Sequence, residues 1–77
     1  MSYNYNKLRG AIKEVYGTQE AFANRMGMSN AALSQRLNNK SKFSQDEIVK
    51  ACELCGIKPA DIASYFFLQV KFRKAEQ

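Results

Sequence analysis

The chain holds two cysteines three residues apart, Cys52 and Cys55 in the tetrapeptide CELC, and no histidine at all. A redox-active CxxC follows a strand and opens a helix, whereas this pair falls late in a helical pattern, just before Gly56. A structural zinc site takes four ligands, and there is neither a third cysteine nor a histidine to complete one. Both thiols therefore read as small core residues, because free cysteine packs like a small hydrophobe. The missing histidine also removes the usual general base and any histidine-activated nucleophile. No paired-carboxylate or glycine-rich phosphate motif takes its place. The expectation is a protein that is not an enzyme and needs no metal or cofactor.

What remains is the chemistry of recognition. In TQEAFANRMGMSNAALSQRL, residues 18–37, Leu33 and Leu37 stand four apart on one helical face. At about 100° per residue, Asn30, Ala31, Ser34, Gln35 and Asn38 then turn outward, a slim face of short polar side chains. The formal charge is +5 over 77 residues. That excess favours a polyanionic partner, usually nucleic acid and sometimes a membrane surface. Lys7, Arg9, Lys13, Arg25, Arg36 and Lys40 crowd the first forty positions against Glu14 and Glu20, and Lys71, Arg73 and Lys74 lie near the end.

Five helices have to position that face. The first runs from about Tyr5 to Tyr16, capped by Asn4 or Asn6, with Tyr5, Leu8, Ile12, Val15 and Tyr16 at helical spacing. Thr18 caps the second, whose apolar stripe is Phe22, Ala23 and Met26. Ser29 caps the third. NNKSK is a polar loop. Ser44 and Glu47 fit a capping box and Phe43 with Ile48 a hydrophobic staple at the start of the fourth helix, which buries Ile48, Ala51, Cys52 and Cys55. Pro59 suits the first turn of a fifth, with Lys58 as an imperfect cap and Ile62, Tyr65 and Phe66 on its apolar side. The expected division is one all-α domain over residues 1–68 and a basic tail over 69–77, in which Val70 to Arg73 alternate like a strand edge but equally continue the helix or hang loose. The first ten residues lack an apolar core and no run reaches membrane-spanning length, so a cytoplasmic location in a bacterial host cell is expected.

Ala23 lies four residues before Gly27, a small side chain where two crossing helices approach, and Gly27 permits the positive φ of a sharp turn. With Gln19 opening the segment and Leu33 as its buried aliphatic, residues 18–37 resemble the helix-turn-helix of the Cro and C1-repressor family. The flanking helices extend the resemblance over about residues 5–67, and the YNYNKLRG and NNKSKFSQDEI stretches look like small phage regulators, a group that includes Cro-like proteins and modulators of repression. The resemblance implies a compact five-helix lambda-repressor-like domain whose third helix enters the DNA major groove. It makes Ser29, Asn30, Ala31, Ser34 and Gln35 the candidates for reading base edges, with Gln35 or Asn30 suited to adenine and Ala31 to a thymine methyl. Gln19, Arg36, Asn38, Lys40 and Lys42 become candidates for the phosphates. Taken singly, most of these residues read equally well as solvated surface.

Arg36 departs from the family, standing where many members are apolar, and the centre of the reading face has no arginine or lysine for guanine. Two functions follow. One is a phage or prophage Cro-like transcriptional regulator that binds a palindromic operator as a homodimer, with dimer contacts falling to Tyr65, Phe66, Phe67, Leu68 and Phe72. The alternative is a modulator of repression, or antirepressor, that binds a partner phage repressor and blocks its DNA-binding domain. Basic charge favours the first; the weak reading face favours the second.

Overall fold

The computed structural model describes residues 3–68, and among these it contains five α-helices: α1 (Asn6–Tyr16), α2 (Gln19–Met26), α3 (Asn30–Leu37), α4 (Gln45–Cys55) and α5 (Ile62–Phe66). The all-α architecture expected from the sequence is what forms. A 3₁₀ turn, Pro59–Asp61, leads into α5, with Pro59 in its first turn and Lys58 giving no side-chain cap. The expected tail falls outside the described residues.

The starts follow the sequence closely. The Thr18 and Ser29 hydroxyls accept from the Ala21 and Ala32 backbone N–H groups, at 3.1 and 3.0 Å. The capping box is complete: Ser44 Oγ accepts from Glu47 N at 3.1 Å, and Glu47 Oε1 accepts from Ser44 N at 2.9 Å. Each such cap contributes about 1 kcal/mol. At the head of α1 the N-cap position falls to Tyr5, without a side-chain capping bond, so neither expected asparagine is the cap; Asn4, one residue earlier, only closes a local turn by accepting from Asn6 N at 2.8 Å.

The turn that sets α3 against α2 is closed by backbone. Gly27 has φ +77°, Met28 N donates to Ala23 O at 3.0 Å, and Gly27 N donates to Asn24 O at 3.2 Å. These are the paired bonds of a Schellman end. A side chain at position 27 would be strained by that φ. Ala23 is fully buried beneath the crossing.

α1 packs on α2, α4 and α5, and α2 packs on α3 and α4. The core they enclose is Tyr5, Leu8, Ile12, Phe22, Ala23, Met26, Leu33, Leu37, Ala51, Cys52 and Phe66. Phe22, Phe66, Leu8 and Leu33 are wholly buried, and each such side chain stabilises the fold by about 1.5–3 kcal/mol. Val15 departs from the expected stripe of α1, at 51% exposed. Tyr16 fills the last turn instead, its ring 5.4 Å from that of Phe22 and its hydroxyl donating to Leu54 O at 2.7 Å. Ile48 and Cys55, expected in the core face of α4, are only partly buried against it.

Candidate interaction face on the second and third helices

Along α3 the outward residues are those the helical period selects. Ser29, Asn30, Ala31, Gln35 and Asn38 are exposed and Ser34 is half-buried. Ser29 is spent locally as the cap. Gln35 makes no side-chain hydrogen bond among the described residues, so its amide faces solvent and is available to a partner.

Three of the expected contact residues form one network. Gln19 Nε2 donates to Asn30 Oδ1 at 3.0 Å and to Ser34 Oγ at 2.7 Å. Gln19 opens α2, so this fork ties the first turn of α2 to the first two turns of α3. Both its N–H groups are used, which leaves its carbonyl as its remaining capacity and fixes the rotamers of two residues on the outer face.

Arg36 is the largest difference from expectation. The sequence suggests a guanidinium reaching outward to a phosphate or another partner. Instead Nε and Nη2 grip both carboxylate oxygens of Glu47, at 2.8 and 3.0 Å, and Nη1 donates to Ala32 O at 3.0 Å. The two side chains are 21% and 23% exposed, so the pair is partly withdrawn from water. Burial alone would raise the Glu47 carboxyl, but the Arg36 guanidinium and the Ser44 backbone and hydroxyl donors outweigh it and hold it below its ordinary value. The one cation of α3 is thus consumed in fastening α3 to α4.

Asn38 is also tied inward. Arg9 Nη2 donates to Asn38 Oδ1 at 2.9 Å and to Leu37 O at 3.1 Å, which anchors α1 to the end of α3. Lys40 and Lys42 are exposed, as loop charges are. Sequence reasoning passed over Arg9, which no helical spacing links to position 38, and grouped Asn39 with Asn38 as a candidate for the DNA backbone, whereas its amide is turned to Tyr3. Asn39 sits at φ +65°, and its amide pairs with the Tyr3 backbone in both directions, at 2.8 and 2.9 Å.

Cys52 is buried and Cys55 half-buried, both as free thiols. Burial pushes each thiol up, helped by the Glu53 charge for Cys52 and by Cys52 for Cys55. Cys52 lies in the core and Cys55 packs against it, as small hydrophobic residues do. No helix among the described residues is long and apolar enough to cross a membrane.

The described residues thus form a small all-α domain whose third helix turns a polar face outward on a hydrogen-bonded frame. The chain belongs to a family described as a protein of unknown function, DUF739, whose model matches residues 1–69. Among solved structures it is similar to the solution structure of the modulator of repression (MOR) of the temperate bacteriophage TP901-1 from Lactococcus lactis. The two share 46% sequence identity over 87% of this chain and 90% of that one, with a TM-score of 0.77.

Proposed function

We propose that this chain is a modulator of repression, a regulator and not an enzyme, which binds the DNA-binding domain of a partner phage repressor and keeps it from its operator. The observation that carries this reading is the 46% identity, over nearly the full length of both chains, to a phage modulator of repression. The chemistry of the face agrees. Arg36 is drawn into a pair with Glu47, so the outer side of α3 offers amides, a hydroxyl and a methyl but no free cation. Such a surface suits protein better than a guanine edge or a phosphate row.

A second reading, a Cro-like regulator that places α3 in the major groove of an operator, draws support from the +5 charge. In that reading Gln35 and Asn30 meet bases, while Gln19, Asn38, Lys40 and Lys42 meet the backbone.

A gel-shift salt titration separates the two. Operator fragments are incubated with the repressor from the genome that encodes this chain, with this protein alone, and with both. Loss of the repressor's shift on adding this protein, with no selective shift by this protein alone, is the expected result. Tight selective binding by this protein alone, with log K falling steeply against log salt, would replace the proposal with the Cro-like reading.

A further inference from the structure

Beside the α2–α3 face lies a groove of about 230 Å³, walled by Arg9, Ile12 and Lys13 of α1, Gly17 of the following turn, Gln19 of α2 and Leu37 of α3. From it we infer that the repressor docks here through an acidic side chain, a Glu or Asp carboxylate carried beside an aliphatic residue. This rests on the modulator reading and adds to it the place and chemistry of the contact.

The lining dictates the occupant. Two of its six residues are cations and none is a carboxylate. Arg9 is held rigid at the wall, because Nη2 already donates to Leu37 O and Asn38 Oδ1. Its Nε and Nη1 make no hydrogen bond among the described residues, so a fixed guanidinium faces an incoming anion with little ordering left to lose. Lys13 is exposed and supplies a second, mobile charge. Ile12 and Leu37, each only 3% exposed, form an apolar floor. Beside Gly17 the groove is open, since a side chain built there would meet nothing within 4 Å.

The modulator reading, in which the partner is a protein, favours a carboxylate over a phosphodiester here, and the aliphatic stem of a glutamate fits beside the nearly closed floor of Ile12 and Leu37. The volume accepts one or two side chains and falls below the usual range for a small-molecule site. The groove also shares Gln19 with the Asn30–Ser34 network, so a partner helix lying over α3 reaches it without leaving the face.

The test is the affinity of the full chain for the DNA-binding domain of the same genome's repressor, by isothermal titration at two salt concentrations. Lys13→Glu should weaken binding by about tenfold or more, and Lys13→Gln by less. Lys58→Glu, an identical change of net charge outside the groove, should leave affinity near the wild type. Unchanged binding by Lys13→Glu would overturn the groove while the modulator reading stands. No binding by the wild type would overturn both. A Lys13→Glu protein that keeps its grip on the repressor but loses affinity for duplex DNA would make the occupant a phosphate and overturn the acidic side chain.

Discussion

Arg36 and Glu47 explain how one residue pair changes what a helix can recognise. A guanidinium that donates to a carboxylate through two parallel bonds forms a strong, directional contact. Here a third bond, to Ala32 O, fixes the arginine against its own helix. Glu47 in turn caps α4 through the Ser44 N–H, so the pair joins α3 to the start of α4 and takes a charge away from the outer face. Glu47→Gln keeps the shape and removes the charge, and should cost about 1 kcal/mol at pH 7. The pH dependence has a definite sign. The folded carboxyl lies below its ordinary value of 4.5, so its contribution is fully present above that value. It disappears as pH falls through the lower, folded value. Urea melts of the wild type and Glu47→Gln should therefore separate at pH 7 and converge in strong acid. Equal midpoints at pH 7 would mean the pair is as weak as an exposed one.

At the scale of elements, the ends of the helices govern the site as much as their faces. α3 closes with Lys40 N donating to Gln35 O at 2.8 Å and Asn39 N donating to Arg36 O at 3.2 Å, a Schellman end with asparagine in the left-handed position. That conformation costs a non-glycine residue about 1–2 kcal/mol, and the two bonds from the Asn39 amide to Tyr3 offset it. Asn39→Gly relieves the strain but loses the Tyr3 bonds; Asn39→Ala keeps the strain and loses them too. Thermal melts should therefore rank the wild type at or above glycine, with alanine lowest by about 1–2 kcal/mol. An alanine variant as stable as glycine would remove the argument from strain.

Much of this was legible beforehand. Thr18, Ser29, Ser44 with Glu47, Gly27 and Ala23 stand at local spacings that a helix start or a tight crossing requires, and each performs the expected part. The outer face of α3 followed from Leu33 and Leu37 by geometry alone. Partners that meet only after folding were not legible: Arg36 finds Glu47 across a loop, Arg9 finds Asn38 from 29 residues away, and Gln19 reaches two residues of the next helix. No periodicity encodes those distances. Val15 was misread because a stripe drawn from sequence has no end, whereas the core does. Asn39 carried a usable signal, since an asparagine just past a helix favours the left-handed turn.

The whole molecule closes at α5, which has five residues and cannot hold itself together in water. Ile62 and Tyr65 pack partly against the core, and Phe66 is the helix's one fully buried residue. Phe66 is 1% exposed and meets Phe43 edge-on at 5.3 Å, and Phe43 meets Tyr5 edge-on at 5.4 Å. The chain's beginning and this last helix are also joined directly, with Asn4 N donating to Leu68 O at 2.6 Å. A domain of this length has a total stability on the order of 4–12 kcal/mol, and truncating a buried phenylalanine to alanine costs about 3–5 kcal/mol. Phe66→Ala should therefore leave the protein largely unfolded or close to it. Phe67, its neighbour, is 49% exposed and touches Tyr3 edge-on at 6.1 Å. Phe67→Ala should cost no more than about 1 kcal/mol, and its melting midpoint should not depend on protein concentration. A large, concentration-dependent loss in Phe67→Ala would instead mean that this ring is covered by a second copy of the chain, because only association makes a midpoint respond to concentration.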